Sequence, residues 1–290
     1  METFKDLMKW KDFLQENLKE NIRNFPKEID DFWKQELKKC SLDTTRIYMI
    51  EKYIFHNKLW KGQRQLLECM KHRHLTFSVK SRCVGYTSLM AAFTACEMVL
   101  NYDIKRLNGE THIVYIAPSG NMRSLFMKKV CEYIEMLPKE LWVTTDDPRL
   151  IELSRCNFKY LKLGEIQLMV TEAGNTGFSN SNSKRPSYTI YDEMVTLDNE
   201  FDFNSPAEEN WREISEKVII GGNPNHNNEF FYKFAKEYKE KYRHIVKMPF
   251  EDNPNNKWNK ISPWDRMYSD THEFADEYKC EIFKLVKETL

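Results

Sequence analysis

Glycine and proline are scarce in this chain, at 9 and 10 of 290 residues. That scarcity excludes collagen-like, linker-like and low-complexity architectures, which need those residues in bulk. A surplus of charge is missing too, since 44 Lys+Arg are matched by 44 Asp+Glu. Proteins that coat nucleic acid by bulk electrostatics carry a basic excess, so any nucleic-acid contact here must be a local patch or come from a partner. No apolar run is long enough to span a bilayer, and residues 1–5 are polar rather than the apolar core of a signal peptide. No membrane partner is expected. The seven cysteines form no CxxC pair; scattered and odd in number, they read as reduced, buried thiols of a cytosol-like compartment. Cys69, His72 and His74 come nearest to a metal cluster, but their spacing reads first as the end of an amphipathic helix.

What is present is apolar and aromatic: 41% hydrophobic and 13% aromatic residues, enough for one large domain or two small ones. Residues 1–56 have helical periodicity, with Trp10, Phe13, Leu14 and Leu18 on one stripe and Ile29, Phe32, Trp33 and Leu37 on another after a break at Phe25-Pro26. A further helix is predicted over 59–73. Short β-prone runs then follow at 75–79, 112–117, 166–170, 188–191 and 217–220. Helical stretches separate some of them, to about Leu100 and from Ser119 to about Met136. This alternation predicts βαβ units, a mostly parallel sheet flanked by helices, and an N-terminal helical extension. Helix returns over 250–290. In such sheets ligands bind beyond the carboxyl ends of the strands, and three polar clusters here lie just after an apolar strand.

The first cluster is Lys80-Ser81-Arg82-Cys83-Val84-Gly85-Tyr86-Thr87-Ser88. A standard phosphate loop, G-x-x-x-x-G-K-[ST], joins a strand to a helix, cradles phosphates with its amides and adds the positive end of the helix dipole. Here Gly85 and Thr87 stand where the second Gly and the Ser/Thr belong, Tyr86 takes the lysine's place, and Lys80 takes the first glycine's. The chemistry needs an ammonium near the phosphates but does not fix its chain position, and Arg82 adds a second cation. The competing reading is an ordinary strand–turn–helix corner with surface charges. The second cluster is Asp192-Glu193, closing the run 188–191. In P-loop ATPases such a strand is expected beside the P-loop strand, its Asp serving Mg²⁺ and its Glu the attacking water. The third, Gly221-Gly222-Asn223, closes 217–220; a short polar residue there can sense a γ-phosphate, or the segment is a simple turn.

Taken in this order, these residues resemble the large terminase subunits of tailed double-stranded-DNA phages. The run from Lys80 to Thr87 is similar to the deviant Walker A of the lambda-like branch, with lysine at the start and Tyr after Gly. The resemblance covers about residues 55–285. It implies a P-loop NTPase core of the RecA/ASCE kind over 57–250, after a helical region 1–56 and before a helical segment 251–290. It implies that Lys80 replaces the usual lysine, that Thr87 and Asp192 serve as metal ligands for Mg²⁺, that Glu193 is the catalytic carboxylate, and that Asn223 lies in a coupling motif. Trp60 and Gln63 resemble an adenine-recognising segment, Trp60 being equally readable as a helix-start anchor of the core. Ile116-Ala117-Pro118-Ser119, the loop 174–183 and the helix 273–283 resemble further family segments.

The implied activity is ATP hydrolysis driving double-stranded DNA into a procapsid, in the host cytoplasm. The implied cofactors are ATP and Mg²⁺. The implied partners are further copies in a ring, a portal protein and a small terminase subunit. Lys80, Arg82 and Glu193 are the expected catalytic residues, with an arginine finger open among Arg82, Arg123, Arg149 and Arg155. Lys128-Lys129 and Lys184-Arg185 are short basic pairs on expected surface segments. Terminases of this family continue into a nuclease domain, and nuclease activity is not expected of this chain. A helicase-like translocase and a non-catalytic P-loop module are the competing classes.

Overall fold

A computed structural model describes residues 42–81, 84–101, 111–138, 152–153, 160–163, 166–172, 186–192, 212–223, 229–242 and 245–249. Eight strands form one sheet: β1 (Leu75–Lys80), β2 (Thr111–Ala117), β3 (Glu152–Leu153), β4 (Tyr160–Leu163), β5 (Ile166–Glu172), β6 (Tyr188–Tyr191), β7 (Lys217–Gly222) and β8 (Val246–Met248). Their order across the sheet is β3-β4-β5-β2-β6-β7-β1-β8. The six strands from β5 to β8 pair in parallel, while β3 and β4 add an antiparallel edge. The described helices are α1 (Leu42–Met49), which runs on into a π-helical turn (Ile50–Ile54), α2 (Lys61–His72), α3 (Tyr86–Leu100), α4 (Gly120–Met136) and α5 (Glu229–Tyr242). The expected α/β architecture with a mostly parallel sheet is therefore the observed one.

The parallel strands are near-continuous apolar runs because both faces of the sheet are covered. On one face Ile113, Tyr115, Ile190 and Ile219 pack with α1, α2, α3 and α4. On the other, Phe77, Val79, Ile116 and Ile220 pack with Ala235 and Tyr238 of α5. Helix α3 is buried along almost its whole length, from Leu89 to Val99. A helix apolar all round has to be enclosed, and α3 lies in the same core as α1, α2 and α4. Its lone charge, Glu97, is buried and ion-paired with Arg46 of α1, while Asn101 donates to the same carboxylate at 3.1 Å. The guanidinium also lies 5.8 Å from the Phe93 ring centroid.

Two features differ from the sequence reading. The strand ending in Asp192 does not neighbour the strand ending in Lys80, because β7 lies between β6 and β1. After Lys217, β7 is Val-Ile-Ile-Gly-Gly and buried throughout, a composition suited to the centre of a sheet. Strands β3, β4 and β8, runs of two to four residues too short to carry a period, and helix α5 are additional to the elements named from the sequence. Of the helical region 1–56, residues 42–54 are helix and share the core of the sheet's helices through Met49, Ile50 and Ile54. Phe55 and His56 follow as the helix cap and a bend, whereas residues 1–41, the segments 174–183 and 273–283, and the predicted helix over 250–290 lie outside the described residues.

Cys69 and His72 lie in α2, and His74 Nδ1 sits 2.9 Å from the Glu216 carbonyl. Among the described residues no three His, Cys, Asp or Glu side chains gather as a metal site. Burial raises the thiol pKa of Cys69 and Cys96, and pushes that of Cys131 up to about 11. A raised thiol pKa lowers the thiolate fraction, so alkylation of Cys131 in the native protein at pH 8 is expected to run roughly a hundredfold slower than in the unfolded chain. Peptide mass spectrometry after timed labelling reads this directly. A second expectation concerns α1: Glu97→Ala leaves Arg46 buried opposite an apolar methyl and costs about 3 kcal/mol of stability. Urea titration of that variant against wild type measures the loss.

Candidate active site

The chain from β1 to α3 is held by backbone constraints before any ligand is considered. Lys80 closes β1 opposite Met248 of β8, and the Ser81 amide donates to the Met248 carbonyl at 3.0 Å. Gly85 caps α3 with φ +73, the left-handed region where only glycine is unstrained. A Cβ there would also come within 3.1 Å of Gln63 Nε2. Gln63, buried in the first turn of α2, uses both ends of its amide on the protein. Its Oε1 accepts from the Trp60 amide at 3.1 Å and its Nε2 donates to the Val84 carbonyl at 3.0 Å. The side chain therefore braces the loop between Lys80 and Tyr86 against α2.

Asp192 follows the last residue of β6, and its amide continues the ladder by donating to the Ile116 carbonyl at 3.1 Å. Its carboxylate is the meeting point of the site. Thr87 Oγ1, in the first turn of α3, donates to Oδ2 at 2.5 Å, and the Tyr115 hydroxyl donates to the same oxygen at 2.7 Å. Lys80 Nζ stands 3.4 Å from Oδ1. That approach is an ion pair without hydrogen-bond alignment, so Oδ1 remains a buried acceptor with no hydrogen bond among the described residues. Lys80 and Asp192 are both buried, at 5% and 0% side-chain exposure.

Three of the residues singled out in the sequence, Lys80, Thr87 and Asp192, thus converge although β7 separates their strands. Tyr86 is buried alongside them, its ring 5.2 Å from Lys80 Nζ and its hydroxyl donating to the Tyr191 carbonyl at 3.2 Å. Asn223 stands at the end of β7 with a buried Oδ1 that has no hydrogen bond among the described residues. Ser88 Oγ accepts from Lys129 Nζ of α4 at 3.2 Å, whereas Lys128 is exposed and faces Glu132 at 3.8 Å. Arg123 pairs with Glu172 at 3.0 Å within the chain. Trp60 is partly buried against the core at the start of α2. Arg82, Cys83, Glu193, Arg149, Arg155, Lys184 and Arg185 lie outside the described residues.

Tyr115 is the member that sequence reasoning passed over. It sits in a run read only as an apolar strand, and its ring stacks on Phe126 of α4 at 3.4 Å between centroids. The signal was there: a tyrosine inside a buried strand needs a partner for its hydroxyl.

A mostly parallel sheet whose first strand runs through a glycine-capped loop into a buried helix has the fold of P-loop NTPases. Within that class the chain has the fold of phage large-terminase ATPase domains. Two structures of the ATPase domain of the Thermus phage P74-26 large terminase, one a point mutant, each match with a TM-score of 0.56 at 16% identity, over 80% of this chain and 96% of theirs. The HK97 bacteriophage large terminase matches with a TM-score of 0.55 at 16% identity, over 85% of this chain; the match spans 51% of that terminase, about half its length. No known family's sequence profile matches the chain, and no curated protein does.

Removing the Tyr115 hydroxyl tests the cluster. Tyr115→Phe keeps the stack on Phe126 but takes one donor from a buried carboxylate, and is expected to lower stability by about 1–3 kcal/mol. Denaturant unfolding of the variant beside wild type checks it.

Proposed function

We propose that the chain is an ATPase that hydrolyses ATP with Mg²⁺ as the motor part of a machine driving double-stranded DNA into a viral procapsid. One observation carries the nucleotide reading: Lys80 Nζ, Thr87 Oγ1 and the Asp192 carboxylate meet in one buried cluster at the carboxyl ends of the strands. That set fits a divalent cation. Asp192 Oδ1 is a buried oxygen without a hydrogen bond, Thr87 supplies a hydroxyl beside it, and hard cations prefer such oxygen ligands. Thr87 and Asp192 would hold the metal. The chemistry a bound Mg²⁺ supplies is neutralisation of charge on the terminal phosphates.

In this reading the chain's own residues bind and orient. The first amides of α3 and the dipole of that helix face the phosphates, Lys80 adds the ammonium missing from position 86, and Arg82 adds a second cation. Glu193, next to Asp192, aligns the attacking water and accepts its proton. Asn223, with its buried acceptor at the end of β7, responds to the γ-phosphate. Trp60 and Gln63 stand by the adenine, with Gln63 linking that side to the loop through Val84. Catalysis then rests on positioning and electrostatic stabilisation.

Support for the packaging role is the shared fold with terminase ATPase domains. The role brings with it a ring of copies, a portal protein, a small terminase subunit and action in the host cytoplasm. The neutral net charge accords with grip on DNA arising from several copies rather than from one chain.

The decisive measurement is phosphate release from ATP by wild type, Lys80→Ala and Glu193→Ala, with Mg²⁺ and with chelator. Wild type is expected to turn over ATP slowly and only with Mg²⁺, and each variant to lose about a hundredfold or more. Equal background rates in all three proteins would establish a non-catalytic module instead.

A further inference from the structure

The side chain at the position where a standard phosphate loop carries its lysine is Tyr86, and it does something a lysine could not. Its ring is 2% exposed and lies directly on Gly221 of β7: a Cβ built on Gly221 would overlap the ring carbons. Its hydroxyl crosses β7 to the Tyr191 carbonyl on β6, the residue before Asp192. Lys80 Nζ stands over its face at 5.2 Å. One aromatic side chain therefore touches the ends of β1, β7 and β6 from the first turn of α3.

We infer that Tyr86 is a positioning residue that mechanically joins the loop at Lys80 to the Gly221-Gly222-Asn223 strand end, so that a shift at either is felt at the other. This rests on the nucleotide site proposed above. The geometry is restrictive. Gly221 has no side chain to yield, so the ring cannot approach β7's end more closely without displacing that backbone. The hydroxyl fixes the ring's far edge to the backbone that carries Asp192. The face of the ring offers Lys80 an electrostatic rest at the distance of a cation–π contact. A Lys at position 86 would offer a flexible aliphatic stem in place of the flat ring that lies on Gly221. The lysine at position 80 and the bare glycine at 221 are thus two sides of one arrangement, with the ring of Tyr86 between them.

Tyr86→Phe keeps the ring and removes the strut's anchor. Two measurements on the full chain test the inference. Amide hydrogen exchange without nucleotide is expected to rise about fivefold at residues 188–192 and 217–223, the equivalent of one neutral hydrogen bond, with exchange in α4 unchanged. Steady-state ATPase assays are expected to give a kcat lowered about fivefold and a KM within about twofold of wild type. A change in KM with kcat intact would make Tyr86 a binding residue and overturn the inference. So would unchanged exchange at both strand ends. Gly221→Ala, which pushes on the ring from the other side, should reproduce the kcat loss. Absence of turnover in wild type would sink the ATPase reading alone, and the exchange experiment would still decide whether the strut exists.

Discussion

The carboxylate of Asp192 gathers what the rest of the site is arranged around. It is fully buried, and a buried charge is tolerated only when paired and hydrogen-bonded. Thr87 from α3, Tyr115 from β2 and Lys80 from β1 meet that demand from three different elements. Each of those elements is in turn constrained by it: the first turn of α3 cannot rotate, β2 keeps its tyrosine inward, and the end of β1 must stay level with that of β6. Because the requirement is electrostatic, it holds over a gap of one intervening strand.

The gap itself is bridged by absence of side chain. Gly221 allows the Tyr86 ring to lie on β7, and Gly85 allows the loop to enter α3 against Gln63. In a chain with 9 glycines in 290 residues, two fall at this corner, one where a Cβ would be tight against Gln63 and one where it would overlap the Tyr86 ring. The left-handed φ at Gly85 and the close approach at Gly221 are different physical needs met by the same residue type.

Behind the site, α3 is a buried apolar rod whose first turn carries Tyr86 and Thr87. Its position depends on enclosure by α1, α2 and α4, and the Glu97–Arg46 pair links it to α1. An ion pair this deep adds little net stability but penalises any packing that separates the partners.

Local physics in the chain determined much of this by itself. The runs at 75–80, 111–117, 166–172, 188–191 and 217–222 are apolar and short enough to be strands. The stripe Leu66, Leu67 and Met70 makes α2, and Ser119 accepting from the Met122 amide starts α4. The order of three polar clusters, each after its own strand, made Lys80, Thr87 and Asp192 legible as one site. Only the tertiary structure decided that β7 enters between β1 and β6, that the Tyr115 hydroxyl lands on Asp192, and that the Tyr86 ring rests on Gly221. The reason is physical: periodicity and turn chemistry act between residues a few positions apart, whereas strand order and cross-strand contacts are set by how the sheet's two faces are buried.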